Sequence, residues 1–534
     1  MNDISRDPTA QPGAGELLQS LGQRGVKIWA EAGKLRFQAR KGVLLPEDVR
    51  NLQALKSQII ALLNLLPLPA DAPLERRPTG HAVPLTALQL SWWKHRLKGQ
   101  RWGARRCVTA RRILGSLDES LLRACIDIVV RRHESLRTRI ALIDEVPSQE
   151  IQEWCDYTIG KVDLSGWPDQ DRDAEIIRLA HEFAERPIDI SVDPLFGMHL
   201  LKLSEREHVL VSGFDHMVSD RISKDMIDQE VWTLYSRGAR ELKLSLPPLG
   251  VQFPDYAVWQ QRTFDSWKEK HEAYWREKLQ GAESTSLPAD HTLSSGGVST
   301  RMMEELRLSA TLTSALRDLA RRERTFLGLV MLTVYSIVVS EWCKRRDLVL
   351  MFIADGRGTP EMKAMTGFIA SMLVLRVTIA EDDRFIDVLH RVGREFDATH
   401  EHHDFDRLPH FMPVPSTDLS FNWLPAEPPR PQTLTAEHSG DPVTVQPFPF
   451  KVSRVGKFEP LFFETATEIL VELHYRSDFW SRDTVTRFGH DLQAVADSLA
   501  KDPPLSPQPS PSHWHSPGHT PPAPTDSTHK AAPD

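Results

Sequence analysis

Cysteine is scarce in this sequence. Four cysteines occur among 534 residues, Cys107, Cys125, Cys155 and Cys343. They lie far apart with no CxxC pair, which excludes a disulfide framework and gives no zinc-ligand spacing. They read as buried or indifferent thiols of a reducing compartment. Long apolar runs are missing too: none approaches the ~20 residues that span a bilayer. The opening MNDISRDPTAQPGAGE is polar and lacks an apolar signal core. The expectation is a cytoplasmic protein with no membrane partner and no metal. Acidic residues number 73 against 65 basic ones, a net charge of -8. That balance favours solubility and argues against a whole-protein nucleic-acid binder.

What is present divides the chain. At 534 residues, two to four units of about 100–200 residues each are expected. Residues 1–12 read as a loose tail. From 13 to 66 the pattern is a short amphipathic helix (Glu16–Leu21), glycine stops at Gly22 and Gly25, two alternating stretches (Val26–Ala30 and Leu35–Ala39) around a turn, and a second helix from Pro46 to Leu66. This is a helix, β-hairpin, helix mini-domain. Residues 67–83 form a proline-rich linker, extended and stiff. Strand-like and helix-like segments then alternate without repeats from about Val83 to Leu499, which predicts an α/β body of two lobes. Residues 501–534 are rich in proline, serine and histidine and cannot bury enough apolar surface to fold. The tail histidines His513, His515, His519 and His529 fit solvated disorder.

Chemistry concentrates at Val209–Ser223. A β-branched run stops at Asp215-His216-Met217-Val218-Ser219-Asp220 and a helix follows. Side chains at a strand end are rigidly held yet face a cleft, which suits a general base. His216 is the candidate, since a neutral imidazole takes a proton near pH 7. Asp220 is placed to order the loop through an ion pair. On these letters alone, the pair equally fits a local hydrogen-bonding feature.

This segment resembles the HHxxxDG signature of non-ribosomal peptide synthetase condensation domains. Further segments match in order: Pro84–Gln89 with Trp92-Trp93; Arg132-His133-Glu134-Ser135-Leu136-Arg137-Thr138; Asp255-Tyr256-Ala257-Val258-Trp259-Gln260; Tyr274-Trp275; Gly356-Arg357; Gly367–Arg376; Ser420-Phe421-Asn422-Trp423; and Leu473–Asp478. The resemblance spans about Pro84 to Leu499. It implies two chloramphenicol-acetyltransferase-like lobes, 84–250 and 251–500, forming a V around a tunnel. An acyl thioester would enter on a phosphopantetheine arm from one side and an acceptor from the other. By the same resemblance His216 is the catalytic base and Asp220 a structural residue paired with Arg357, with Asp215, Asn422 and Ser371 beside the tunnel. No cofactor is bound; the phosphopantetheine belongs to a partner carrier.

Residues 13–66 resemble the β-hairpin docking domains of the tubulysin-synthetase type. Gly25–Trp29, Leu35–Phe37 and Lys41–Leu44 carry that likeness. The hairpin offers an edge for strand addition. Arg24, Lys27, Lys34, Arg36, Arg40 and Lys41, with Trp29 and Phe37, favour an acidic linear motif at the C-terminus of an upstream carrier protein. The remaining partner would be a small-molecule or carrier-bound acceptor, and the enzyme a monomer.

Departures from the family pattern are Asp215 for the first histidine, Arg221 for the glycine, and Ser371 for the asparagine of GxFVNT. Arg221 is expected either to narrow the tunnel or to fold outward onto Asp215. No adenylation or carrier segment is read after Leu499, so the expectation is a stand-alone enzyme. It would form an ester or amide and release the product of a polyketide/peptide hybrid line, as in the assembly line of enacyloxin. Three alternatives stay open. Asp215…Asp220-Arg221-Ile222-Ser223 also satisfies the DxxxxDxxS pattern of heterocyclisation domains. The altered signature also suits a non-catalytic recruiting platform. An acetyltransferase using free coenzyme A thioesters is the third.

Overall fold

The computed structural model describes residues 17, 21, 24, 26–31, 34–38, 43–56 and 59, and residues 73–501 apart from 79–81, 98–105, 239–245, 292–300, 403–404, 411, 416, 426–431, 435–441 and 449–456. The tail expected at 1–12, most of the linker and residues 502–534 lie outside the described residues.

In the N-terminal unit β1 (Lys27–Glu31) pairs antiparallel with β2 (Lys34–Gln38). A helix follows at Pro46–Ala54, shorter in its described part than the Pro46–Leu66 span read from the sequence. Pro46 opens it, where the missing N–H costs nothing. The Asp48 carboxylate accepts the Leu45 N–H at 2.7 Å and so caps the first turn. Leu17, Leu21, Val26, Leu52 and Ile59 close a small core of their own.

Among the described residues the body holds two six-stranded sheets and a three-stranded one. In chain order the first half contributes β3 (Val83–Pro84), β4 (Arg106–Leu114), β5 (Thr138–Ile143), β6 (Val146–Ile151), β7 (Ile159–Asp163), β8 (Phe196–Ser204) and β9 (Glu207–Asp215). The second half contributes β10 (Arg301–Leu308), β11 (Asp347–Ala354), β12 (Ser371–Thr378), β13 (Ser420–Pro425), β14 (Gln432–Leu434), β15 (Val443–Pro447), β16 (Phe458–Glu464) and β17 (Ile469–Arg476).

The first-lobe sheet runs β14-β15-β4-β9-β8-β7 and the second-lobe sheet β10-β17-β16-β13-β11-β12. This corrects the simple division at 250/251, because β14 and β15 leave the second lobe and extend the sheet of the first. β15 pairs with β4, with Val445 opposite Ile113. Val443 and Val445 are buried in the first-lobe core, and that apolar contact holds the crossover there.

Helices cover both faces of the first-lobe sheet. Those at Glu119–Arg132 and Arg221–Arg237 pack on one face and the one at Asp169–Glu185 on the other. This explains why β9 reads as a nearly continuous apolar run rather than an alternation. In the second lobe the helix Leu327–Cys343 is apolar on every side and buried through Ser340. It packs among helices Ala310–Arg322, Phe385–Glu401 and Arg482–Lys501. Among the described residues no single helix is long and apolar enough to cross a membrane.

Two loops of the second lobe reach into the first. Gly356 carries φ +76, and a Cβ there would lie 1.9 Å from the Ile369 carbonyl oxygen. Only glycine lets these loops approach so closely. Gly356→Ala is therefore expected to lower stability by at least ~1–3 kcal/mol, read as a lower urea midpoint of the full chain.

Candidate active site at the junction of the lobes

Asp220 is the N-cap of helix Arg221–Arg237, and its carboxylate gathers six donors. Oδ1 accepts the Ser223 N–H (2.8 Å), the Ser223 hydroxyl (2.7 Å) and Arg357 Nη2 (2.9 Å). Oδ2 accepts Arg357 Nη1 (2.8 Å) and the N–H groups of Ile369 (3.1 Å) and Ala370 (3.2 Å). Arg357, Ile369 and Ala370 belong to the second lobe, so one carboxylate clamps the lobes together. Both partners are buried, Asp220 at 4% and Arg357 at 1% exposure. Burial pushes the Asp220 pKa up, but the Arg357 charge and the donated bonds outweigh it and hold it below the usual range. Ser223 is committed to the same joint, since it also contacts the Gly367 carbonyl (2.8 Å) and accepts the Gly367 N–H (2.9 Å).

His216 follows β9 directly and is half-buried. Its Nδ1 lies 3.2 Å from the Ser219 carbonyl oxygen. A carbonyl accepts only, so Nδ1 carries the proton and the lone pair sits on Nε2, the tautomer a base needs. The ring packs against Trp92 (centroids 4.9 Å apart) and Phe368 of the second lobe (5.3 Å), which also meet each other edge to face at 5.4 Å. Gln89 steadies the loop by donating to the Met217 carbonyl at 2.6 Å. Cys107 lies close enough to the ring to act on its charge. Burial pushes the imidazole pKa down and Lys224 adds to that. Cys107 and the Asp215 carboxylate push it up, and the balance lies above the ordinary value.

Asp215 is fully buried and ion-paired with Arg96 of helix Ala87–Leu97. Its other oxygen accepts the Met217 N–H at 2.9 Å. Arg96 lies one helical turn beyond Trp92, so the pair ties down the helix whose indole flanks His216. This corrects the idea of Arg221 folding onto Asp215: Arg221 reaches the second lobe instead, its guanidinium 6.0 Å from the Phe463 ring centroid.

Ser371 and Asn422 are not brought together. Ser371 pairs with Ala354 and Asn422 with Ile353, so alternation puts them on opposite faces of the second-lobe sheet. Ser371 Oγ is buried without a hydrogen-bond partner, and Asn422 is buried at 6% exposure.

Among the proposed docking residues, Phe37 is half exposed at 50%. Arg24 is exposed and ion-paired with Asp48 of the same unit at 2.6 Å. Lys27, Trp29, Lys34 and Arg36 lie on the hairpin; their side chains, and residues Arg40 and Lys41, lie outside the described residues.

Sequence reasoning missed Arg96, Phe368 and Cys107. A lone aspartate at the end of an apolar strand signals that some cation must meet it, but not which one. For Cys107 the sequence held no signal. No group of three or more His, Cys, Asp or Glu side chains among the described residues is arranged to hold a metal.

Paired lobes with a histidine fixed at their junction define a chloramphenicol-acetyltransferase-like architecture, preceded here by a docking unit. The chain belongs to the condensation domain family, whose pattern matches residues 80–508. Residues 15–64 match the TubC N-terminal docking domain. A chondramide synthase of Chondromyces crocatus is 30% identical over 397 residues, covering 73% of this chain and 10% of the synthase. The chain therefore spans a small part of that relative. The X-domain in the complex of the X-domain and OxyB from teicoplanin biosynthesis superposes with TM-score 0.71 at 23% identity, over 82% of this chain and 97% of that one. The cyclization-docking bidomain of EpoB from Sorangium cellulosum superposes with TM-score 0.63 at 20% identity, over 92% and 99%.

Asp220→Ala strips the buried Arg357 guanidinium of its two-pronged partner, leaving it Asp355 at 3.0 Å as its ionic partner, and is expected to cost about 3–5 kcal/mol, read as a fall in the urea midpoint. Because the folded pKa is depressed, the carboxylate's stabilisation is present above the unfolded value of about 3.9 and lost as pH falls through the folded one. For His216 the raised pKa predicts that the activity requiring its neutral form rises with pH through a midpoint above about 6.5. Cys107→Ala removes raising contributions and should move that limb to lower pH in a kcat/KM profile.

Proposed function

We propose that this protein transfers an acyl chain from a carrier-protein phosphopantetheine thioester to an acceptor hydroxyl or amine, forming an ester or amide and releasing the product of an assembly line. His216 carries the reading. Its Nδ1–H is fixed by the Ser219 carbonyl, its Nε2 carries the basic lone pair, and its ring lies where the lobes meet. The acceptor O–H or N–H gives its proton to Nε2 as its heteroatom attacks the thioester carbonyl. The proton then passes to the departing pantetheine sulfur. Asp220 and Arg357 keep the two walls of the site in register. The Asp215–Arg96 pair and Trp92 keep the ring from turning.

The donor is recruited through residues 13–66, where an acidic C-terminal tail of an upstream carrier adds to the hairpin edge. Phe37, exposed on β2, is its apolar contact, and Lys27, Lys34, Arg36, Arg40 and Lys41 supply the charge. The phosphopantetheine stays on the partner carrier.

A second reading is a recruiting platform of the same fold. It is favoured by the changed signature positions Asp215 and Arg221 and by the likeness to an X-domain that forms a complex with OxyB. Heterocyclisation is less well supported, because Ser223 of the DxxxxDxxS pattern is fully engaged in capping the helix and joining the lobes.

The test is to mix the full chain with an acyl-loaded carrier and candidate alcohols or amines, and to follow donor loss by intact mass. His216→Ala should lower turnover 10²–10⁴-fold, the range of general base catalysis, with an unchanged urea midpoint. Carrier binding without donor loss on any acceptor would support the platform instead.

A further inference from the structure

The helix Ala87–Leu97 meets three consecutive residues around the base with one of its faces. Gln89, Trp92 and Arg96 are spaced three and four residues apart and so lie along one stripe. Gln89 donates to the Met217 carbonyl (2.6 Å), Trp92 packs against the His216 ring, and Arg96 pairs with the Asp215 carboxylate. Helix and loop run past each other in opposite directions, and each turn of the helix meets the next residue of the loop.

The two ends of this helix are held in different ways. At its start, the Ala87 N–H donates to the Gln260 side chain (2.8 Å) and the Gln89 side chain accepts the Thr86 N–H (2.9 Å). The buried residues of the helix, Leu88 and Gln89, also lie in its first turn. From Leu90 to Leu97 the side chains are half-buried or exposed. The last turn is tied down by charge: the Arg96 side chain, 11% exposed, meets the fully buried carboxylate of Asp215. Trp92 lies between the two anchors. Asp215 also accepts the Met217 N–H at 2.9 Å, so the same carboxylate spans the loop on both sides of His216.

We infer that Arg96 is a positioning residue for the base: through Asp215 it holds helix and loop in register so that Trp92 seats the imidazole, and it neutralises the carboxylate next to that ring. This deepens the acyl-transfer reading, which makes His216 the base; the seating of the ring is measurable without it. The charged or titratable groups that act on the imidazole are Cys107 of β4, Lys224 of the helix Arg221–Arg237 and Asp215 of β9. The helix Ala87–Leu97 and the Phe368 loop face it with the uncharged rings of Trp92 and Phe368. Arg106 stands opposite Asp215 on β4, and the two charges act on each other. Asp215 therefore keeps a cation nearby and stays ionised when Arg96 is replaced.

The test uses the full chain as wild type, Arg96→Gln, Arg96→Lys, Asp215→Asn and the double variant Arg96→Gln/Asp215→Asn, each checked for folding by its urea midpoint. The His216 Cε1–H signal is titrated by NMR on protein carrying carbon-13 histidine, and is assigned by its loss in His216→Gln. Arg96→Gln leaves the carboxylate beside the ring without its guanidinium and should raise the midpoint by about half a pH unit or more. Asp215→Asn removes the charge and should lower it by about as much. Arg96→Lys should fall between wild type and Arg96→Gln, and the double variant should titrate with Asp215→Asn. A loosened ring alone would carry both single variants the same way, towards the ordinary value of about 6.5. Shifts in one direction, or a folded Arg96→Gln that titrates as wild type does, overturn the inference. If Arg96→Gln does not fold, Arg96→Lys and the double variant decide by the same criterion. In a kinetic arm, an octanoyl-loaded carrier is offered glycinamide, and the acid limb of kcat/KM should move with the NMR midpoints. Opposed NMR shifts without His216-dependent turnover would defeat the acyl-transfer reading and leave the role of Arg96 at the ring standing.

Discussion

The carboxylate of Asp220 is the joint on which the site depends. It is shared between a helix start in one lobe and an arginine and two backbone amides in the other. A buried carboxylate and guanidinium are expensive to remove from water, and only full mutual hydrogen bonding offsets that cost. The requirement is stringent geometrically: six donors must converge on two oxygens. Any relative shift of the lobes would leave a charge unpaired. The pair thus specifies how the lobes meet, more than it adds to stability.

Everything near His216 follows from that fixed junction. Phe368 flanks the imidazole only because the loop that carries it is pinned through Ile369 and Ala370. His133 and Ser135 of the first lobe meet Thr366 at 3.0 and 2.9 Å, which extends the joint away from Asp220. Trp92 comes from the first lobe and packs beside Phe368, on a helix tied to β9 by Arg96 and Asp215. The imidazole is therefore clasped by both lobes, with its tautomer set by a backbone carbonyl. A base needs its lone pair aimed and its ring immobile, and the second follows from packing.

Much of this was legible from the letters. The strand ending at Asp215 and the helix beginning after Asp220 show as a change of period, and the order of the motif segments pointed to two lobes of one family. Asp220 and Arg357, separated by 137 residues, were paired by motif order and lie in contact. The passage of β14 and β15 into the first-lobe sheet was not legible, because a short apolar alternation does not say which sheet edge it will meet. Arg96 and Cys107 were not legible for a related reason. Their meaning comes from what they touch, and that depends on the register of β4 against β9 and on one helix lying across the strand ends.

The sequence alone determined the element types, the glycines that close approaches demand, and the residue types able to do acid–base work, since these depend on local sterics and intrinsic chemistry. Tertiary structure alone decided which cation meets Asp215, where Arg221 lies, and what surrounds the imidazole. Those contacts join residues far apart in the chain, and their energies depend on distance and burial, which exist only once both lobes have packed.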